Sequence, residues 1–242
     1  MVISFVGWAL SFIDGGAPIR QLEPIPDDVP PARGEAVPVV DIHAPGRTSS
    51  QLDFWAQPIA ADISVSAQAV AAYGNAELVA EGTWPGCHIS WNTLAGIGHV
   101  ETRHGTYSGK LFGGSALNAD GVATPPIIGI PLDGSPGVAE IPDTDGGALD
   151  GDPDFDRAVG PMQFIPESWG RFGLDANGDG VADPNQIDDA ALSAAHLLCE
   201  NGGDLSTPEG WTRAVHSYNM STKYLLDVRD AAAAFALRQP AL

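Results

Sequence analysis

Apolar residues recur every three or four positions in six segments of this chain, which is the spacing of one face of an α-helix. In residues 91–102, for example, Leu94 and Gly98 fall on one face, and Ser90 precedes the segment as a potential N-cap. No internal repeat is present. The pattern therefore predicts a mainly α fold for residues 51–242. The other predicted helices span residues 64–80, 166–171, 187–200, 208–218 and 221–237.

A long stretch rich in Gly, Pro and Asp, residues 113–156, interrupts these helices and is predicted to be an irregular insertion. Within it, the segments PPIIGIPLDG and GVAEIPD predict a short β-hairpin with Asp133 and Gly134 in the turn. The acidic residues 143–156 predict a solvated loop that borders a cleft. A metal site in this loop is the less favoured alternative.

The N-terminal part of the chain differs in composition from the rest. Residues 1–21 contain the apolar run VISFVGWALSF, which is shorter than the roughly 20 residues of a membrane span and is typical of a signal or anchor remnant. A strand or helix packed on the domain is the alternative. Residues 22–50 are rich in Pro and acidic residues, which predicts an extended linker. We therefore expect an exported protein of the cell envelope or the extracellular space, attached to a membrane only through its N-terminus.

Charge limits the partners of this chain. It has 31 acidic and 11 basic residues and a formal net charge of -20. Nucleic acid is excluded as a partner because phosphate binding requires clustered Lys and Arg. Simple adhesion to an anionic membrane or wall polymer is disfavoured for the same reason.

The chain contains two cysteines, Cys87 and Cys199. Because other features indicate export, they are predicted to form a disulfide, which would require an oxidising compartment; two unrelated buried thiols are the alternative. A disulfide would close a loop over most of the predicted domain and would stabilise it by about 4 to 5 kcal/mol in the chain-entropy model.

The segment SWNTLAGIGHVETRHG places a carboxylate on an apolar helix face, because Leu94, Gly98 and Glu101 are separated by four and three residues. Such a carboxylate is either paired with a cation, for example Arg103, or kept partly protonated by desolvation. The second state is that of a general acid able to protonate a glycosidic oxygen near neutral pH. The flanking histidines, His99 and His104, do not match the HExxH zinc motif and are predicted to lie at the surface or cleft rim.

Two further segments carry polar groups that suit a carbohydrate cleft. In RAVGPMQFIPESWG, Gln163 offers amide donors and an acceptor between Met162 and Phe164, whose apolar surfaces suit the faces of sugar rings. The alternative is a hydrophobic turn packed on the core. In AVHSYNMS, Tyr218 and Asn219 follow a predicted helix, as caps or as a hydroxyl and an amide directed into a cleft.

Together, GIGHVETRHG, AVGPMQFIPESWG and SYN resemble the lytic transglycosylases of the membrane-bound type B branch and its actinobacterial relatives, over roughly residues 67–236. The resemblance implies a lysozyme-like domain that binds peptidoglycan glycan strands without an organic cofactor. It implies that Glu101 first protonates the oxygen between N-acetylmuramic acid and N-acetylglucosamine. The same residue then acts as base while the muramic acid 6-hydroxyl attacks the anomeric carbon, which gives a 1,6-anhydro product. The residues implied to bind substrate are Met162, Gln163, Phe164, Tyr218 and Asn219.

The segment DANGDGVADPNQIDDA, residues 175–190, begins like an EF-hand Ca²⁺ loop, and the predicted loop itself spans residues 175–189. Position twelve of that motif holds Gln186 where an acid is usual. The type B branch has an elongated loop whose closing carboxylate comes three residues later, so the resemblance implies a structural Ca²⁺ site closed by Asp189. A series of solvated turns is the alternative. The predicted ligands are Asp175, Asn177, Asp179, the carbonyl of Val181, and Asp189.

Two other functions remain open from the sequence. A hydrolytic muramidase on the same scaffold would hold a water with a second carboxylate, which Asp152, Asp154 or Asp156 could supply. A calcium-dependent cell-wall binding protein would have the same cleft and would bind the cell wall without cleaving it.

Overall fold

The computed structural model describes residues 22–107 and 114–242. The predicted N-terminal apolar segment, residues 1–21, and the first residue of the insertion, Gly113, lie outside the described residues. The described residues are mainly helical, which confirms the predicted fold class. The helices are α1 (Asp53–Ile63), α2 (Ala67–Thr83), α3 (Trp91–Thr102), α4 (Pro166–Phe172), α5 (Ile187–Gly202), α6 (Pro208–Tyr218) and α7 (Thr222–Ala236), and a 3₁₀ turn at Thr48–Leu52 precedes α1.

The core forms around α5, which packs between α2 and α6, while α3 packs along α7. Its largest fully buried side chains include Trp91, Trp211 and Tyr73. The α3 and α7 helices approach closely at Gly96, where an added Cβ would lie 2.7 Å from the carbonyl oxygen of Val228. This close approach brings the last turn of α3 against the first turn of α7.

Two small antiparallel strand pairs occur in the described part of the insertion and just after it. Strand β1 (Ala116–Leu117) pairs with β2 (Ala123–Thr124), and β3 (Ile128–Pro131) pairs with β4 (Arg157–Val159). The predicted hairpin is present only as a narrow bridge, in which Asp133 lies opposite Glu140. The main partner of β3 is therefore β4, which is farther along the chain than the sequence pattern indicated.

Residues 22–47 have no regular secondary structure, as predicted, but they lie on the helical domain. The N–H of Gly34 donates to Oδ1 of Asn92 at 3.0 Å, and the Trp91 indole donates to the carbonyl of Glu35 at 3.0 Å. Val29, Val37 and Val40 pack against the core. This differs from the expected linker that holds the domain away, because the isolated valines pack against the core and backbone groups between the prolines find partners on α3.

Cys87 and Cys199 form a disulfide with a Cα–Cα distance of 5.1 Å, which confirms the predicted pairing. The bond joins the turn before α3 to the last turn of α5. In the described part of the chain, no helix combines the length and apolar character needed to cross a membrane.

Candidate active site

Glu101 lies in the last turn of α3, where its Oε1 accepts a hydrogen bond from the Tyr224 hydroxyl at 2.6 Å. Burial raises the pKa of Glu101 to about 7, and the hydrogen bond from Tyr224 opposes this shift. The alternative of an ion pair with Arg103 is not realised, since the Arg103 guanidinium contacts the His99 ring. A carboxyl group in this state can hold a proton near neutral pH and release it.

The turn that carries Gln163 is fixed to α3. Gly160 has a φ of 77°, and an added Cβ would overlap the carbonyl oxygen of Pro184. Gln163 is also left-handed, with a φ of 52°, and its Nε2 donates to the carbonyl of Gly160 at 3.0 Å. The Thr102 hydroxyl donates to the carbonyl of Pro161 at 2.6 Å. The residue after the candidate acid therefore holds this turn in place.

Tyr218 connects the Gln163 turn to the acid. Its hydroxyl donates to the carbonyl of Met162 at 2.7 Å, and its ring stacks on that of Tyr224 with centroids 6.5 Å apart. Burial and the charge of Glu101 hold the pKa of Tyr218 well above its usual value, so the hydroxyl keeps its proton. The structure thus brings Glu101, Tyr224, Tyr218 and the Gln163 turn into one continuous cluster.

Met162 and Phe164 are buried, with exposures of 0% and 3%, whereas Gln163 between them is partly exposed. Met162 lies beside the Tyr73 hydroxyl, and Phe164 packs edge-on against Trp169 with centroids 5.1 Å apart. The two apolar side chains therefore do not flank Gln163 at the surface in this structure. Packing in the core removes more apolar surface from water than a place at a cleft rim would.

Asn219 is exposed at the C-terminus of α6. Its Oδ1 accepts the N–H of Ser221 at 3.0 Å, so it connects the end of α6 to the start of α7. In this structure Asn219 therefore has the role of a cap, which is one of the two roles that the sequence left open.

The predicted calcium loop is folded around its carboxylates. Asp175 accepts the N–H groups of Gly178 and Gly180 at 2.7 and 2.8 Å. Asp189 is buried and accepts the N–H groups of Ala176, Asn177 and Asp183. Burial raises the pKa of Asp189 to about 6, and the charge of Asp175 adds to this shift. The carboxylates of Asp175, Asp179 and Asp189 do not form a group whose oxygens all lie within 4.8 Å of one another, so this structure does not bring the predicted ligands together.

A second group of carboxylates was only the less favoured alternative in the sequence. Oxygens of Asp143, Asp145 and Asp156 lie within 4.8 Å of one another. Asp156 is buried and accepts hydrogen bonds from the N–H and hydroxyl of Thr144. Among the described residues, this is the group whose His, Cys, Asp and Glu atoms lie close enough to share one ion.

The contact of Tyr224 was not predicted from the sequence, and the predicted exposure of His104 was wrong. Tyr224 contacts the candidate acid but was not predicted, and its one signal is an aromatic residue in the first turn of the helix that follows SYN. His104 was predicted at the surface but is 5% exposed, and burial lowers its pKa to about 3. The left-handed conformations of Arg103 and His104 at the end of α3 turn the His104 ring inward.

Residues 155–233 match the family model described as Transglycosylase SLT domain. The matched segment includes Gln163, Tyr218, Tyr224 and the predicted calcium loop, and Glu101 precedes it. This match shows a transglycosylase domain over about a third of the chain, without Glu101.

Two solved structures are similar to the chain. The Escherichia coli lytic transglycosylase Slt35 in complex with bulgecin A is 15% identical, with 81% of each chain covered and a TM-score of 0.45. The same enzyme in complex with calcium is 15% identical, with 81% of each chain covered and a TM-score of 0.43. No curated protein matches the chain significantly in sequence.

Proposed function

We propose that this enzyme cleaves the β-1,4 bond between N-acetylmuramic acid and N-acetylglucosamine of peptidoglycan, with Glu101 as acid and then base. The observation that carries the proposal is the partly buried Glu101 carboxyl, whose pKa is raised to about 7 and whose Oε1 accepts a hydrogen bond from the Tyr224 hydroxyl. A single group with this pKa is protonated and deprotonated in comparable amounts near neutral pH, as a residue that performs both steps requires.

In the first step, Glu101 donates its proton to the glycosidic oxygen, and the bond from that oxygen to the muramic acid anomeric carbon breaks. The resulting carboxylate retains the Tyr224 hydrogen bond, which stabilises its charge. In the second step, the carboxylate accepts the proton of the muramic acid 6-hydroxyl while the 6-oxygen forms a bond to the anomeric carbon. The products are a 1,6-anhydro-muramic acid end and a free N-acetylglucosamine end, and Glu101 is protonated again.

The partly exposed Gln163 amide is placed to contact the sugar, since its backbone is fixed through Thr102 and Tyr218. Met162 and Phe164 support it from the core, and Asn219 holds the α6–α7 turn from which Tyr224 is presented. The ordered set of motifs supports assignment to the type B branch.

Two of the three candidate second carboxylates of a hydrolytic mechanism, Asp152 and Asp156, have other partners. Asp152 forms an ion pair with Arg157 and accepts two backbone N–H groups, which hold its pKa below the usual value. Asp156 is buried against Thr144. These interactions favour the transglycosylase over the muramidase.

We also propose a structural Ca²⁺ site formed by Asp175, Asn177, Asp179, the Val181 carbonyl and Asp189. The repulsion between Asp175 and Asp189 supports it. An ion there would hold the loop that leads into α5 and would take no part in proton transfer. The Cys87–Cys199 disulfide supports export to the cell envelope, with attachment through residues 1–21.

Digestion of purified peptidoglycan, followed by mass analysis of the released muropeptides, tests this function. The wild type and the Glu167→Gln control, which alters an exposed carboxylate on α4, are expected to release anhydro products. Glu101→Gln is expected to release none. Products heavier than the anhydro-muropeptides by one water would show that the reaction is hydrolysis. The absence of products from the wild type would favour the binding-protein alternative.

A further inference from the structure

A cavity of about 290 Å³ lies between the end of α3 and the turn from α1 to α2. Its polar wall includes Arg103, His104, Ser64 and Ser66, and no Asp or Glu lines it. The chain has a net charge of -20, yet this cavity is lined by basic groups and by no acidic side chain.

Arg103 supplies the positive charge. Most described basic side chains form an ion pair with a carboxylate, but Arg103 has no carboxylate within 4.0 Å among the described residues. Its guanidinium contacts the ring of His99, which also lines the cavity. An exposed guanidinium without a carboxylate partner retains its donors for an anion. The ion-paired side chains are Arg33, Arg47, Arg157, Arg171, Lys223, Arg229 and Arg238.

His104 supplies an unsatisfied buried group. The Nδ1 atom of its ring lies 3.1 Å from the Tyr73 hydroxyl on the core side, whereas its Nε2 is buried without a hydrogen-bond partner in the described residues. A hydroxyl donates more strongly to a ring nitrogen than to a thioether, so Tyr73 donates to Nδ1 and the ring proton resides on Nε2. A buried N–H that lacks an acceptor costs free energy unless a ligand supplies one.

The N-terminus of α2 adds a third feature. The 17-residue helix α2 begins directly after the cavity wall, with Ser66 as its N-cap. The positive end of the helix dipole therefore lies at the cavity. His99 and His104 both have a lowered pKa, for which burial is the largest cause and the charge of Arg103 a further one, so the local potential is positive.

We propose that this cavity binds a small oxyanion, a carboxylate or phosphate group, between the Arg103 guanidinium, the His104 Nε2–H and the N-terminus of α2. The oxyanion accepts hydrogen bonds from both side chains and thereby satisfies the otherwise unpaired Nε2–H of His104. At a cell wall it comes from a peptide carboxylate or from a phosphate of a wall polymer. His99, which lines the cavity, is two residues from Glu101 in α3 and therefore about half a turn away around the helix, so the cavity lies on a different side of α3.

The imidazole resonances of the full chain, followed by NMR, test the proposal. The chain is titrated separately with inorganic phosphate and with acetate, at an ionic strength held constant with chloride. We expect saturable shifts of His104 and His99 with at least one of the two anions. Saturation by phosphate alone identifies a phosphate source, and saturation by acetate identifies a carboxylate source.

Two variants make the test specific. Arg103→Gln is expected to weaken binding by about tenfold or more, as loss of a charge-assisted hydrogen bond does. Arg171→Gln removes the same charge from an exposed ion pair with Glu200 and is expected to bind like the wild type. The proposal is overturned if neither anion gives saturable shifts in the wild type, or if Arg103→Gln binds as tightly as the wild type. Neither result depends on catalytic activity.

Discussion

The hydroxyl of Tyr224 donates a hydrogen bond to Glu101 across 2.6 Å, between residues 123 positions apart in the chain. Two opposing effects therefore act on one carboxyl group. Burial favours the protonated acid, and the hydroxyl favours the carboxylate. Their balance leaves the pKa of Glu101 at about 7, which suits a residue that must donate a proton and then accept one.

Glu101 is expected to reduce the stability of the fold. In the unfolded chain it loses its proton near pH 4.5, whereas in the folded chain it keeps the proton up to about pH 7. The folded state binds more protons in this window, so the free energy of unfolding falls as the pH rises through it. Glu101→Gln removes this cost and is expected to be more stable than the wild type above pH 7 by about 1 to 3 kcal/mol. Urea denaturation at several pH values measures the difference, and an equal difference at pH 4 and pH 8 would contradict it.

Tyr224→Phe keeps the ring stacked on Tyr218 but removes the hydroxyl. The pKa of Glu101 is then expected to rise above about 7, because only burial remains to act on it. The alkaline limb of the pH–rate profile should move to higher pH, and kcat should fall about tenfold as the carboxyl group loses its fixed orientation. Tyr107→Phe, which alters an exposed tyrosine, is the control. An unchanged alkaline limb in Tyr224→Phe would show that the Tyr224 hydroxyl does not affect the pKa of Glu101.

Calcium is expected to stabilise the protein through the loop of residues 175–189. Free Ca²⁺ at about one hundred times its dissociation constant would add about 2.7 kcal/mol, or roughly 5 to 10 °C in Tm. Asp175→Asn should abolish this increment, and Asp143→Asn, in the other carboxylate group, should leave it. Thermal unfolding with calcium and with chelator measures both. The reverse pattern would place the ion in the insertion.

The sequence predicted six of the seven described α-helices because their apolar faces repeat within each segment, but it did not predict α1. It placed Glu101 on an apolar face because of its spacing from Leu94 and Gly98. It did not predict Tyr224, since the contact depends on how α3 and α7 pack, and no local pattern encodes that. The same limit explains β3, whose partner β4 is separated from it by the acidic loop.

Burial of individual side chains was also harder to predict than the elements that carry them. Met162 and Phe164 flank Gln163 in sequence, but a left-handed residue between them directs both apolar side chains into the core. The roles of Asp175 and Asp189 as metal ligands stay a prediction.

Loss of the Cys87–Cys199 disulfide is expected to destabilise the domain. The bond spans 112 positions, and the chain-entropy model gives about 4 to 5 kcal/mol for a loop of this size. The variant with both cysteines replaced by Ser should therefore unfold at a lower urea concentration, and reduced wild type should match it. A midpoint within error of the oxidised wild type would show that the bond is not a main source of stability.

Substitutions at two helical glycines test whether Tyr73 and Met162 support the site around Glu101. Gly98 lies one helical turn before Glu101, and an added Cβ would overlap the Tyr73 hydroxyl and lie 3.2 Å from Sδ of Met162. Gly170 lies on the exposed side of α4, where an added Cβ meets nothing within 4 Å. Gly98→Ala should cost about 1 to 3 kcal/mol and lower kcat, because it displaces Met162 next to Gln163. Gly170→Ala should stabilise α4 by about 0.5 to 1 kcal/mol without changing kcat, since alanine favours the helix. Denaturation and muropeptide release are measured for both, and equal effects of the two substitutions would show that Tyr73 and Met162 do not support the site.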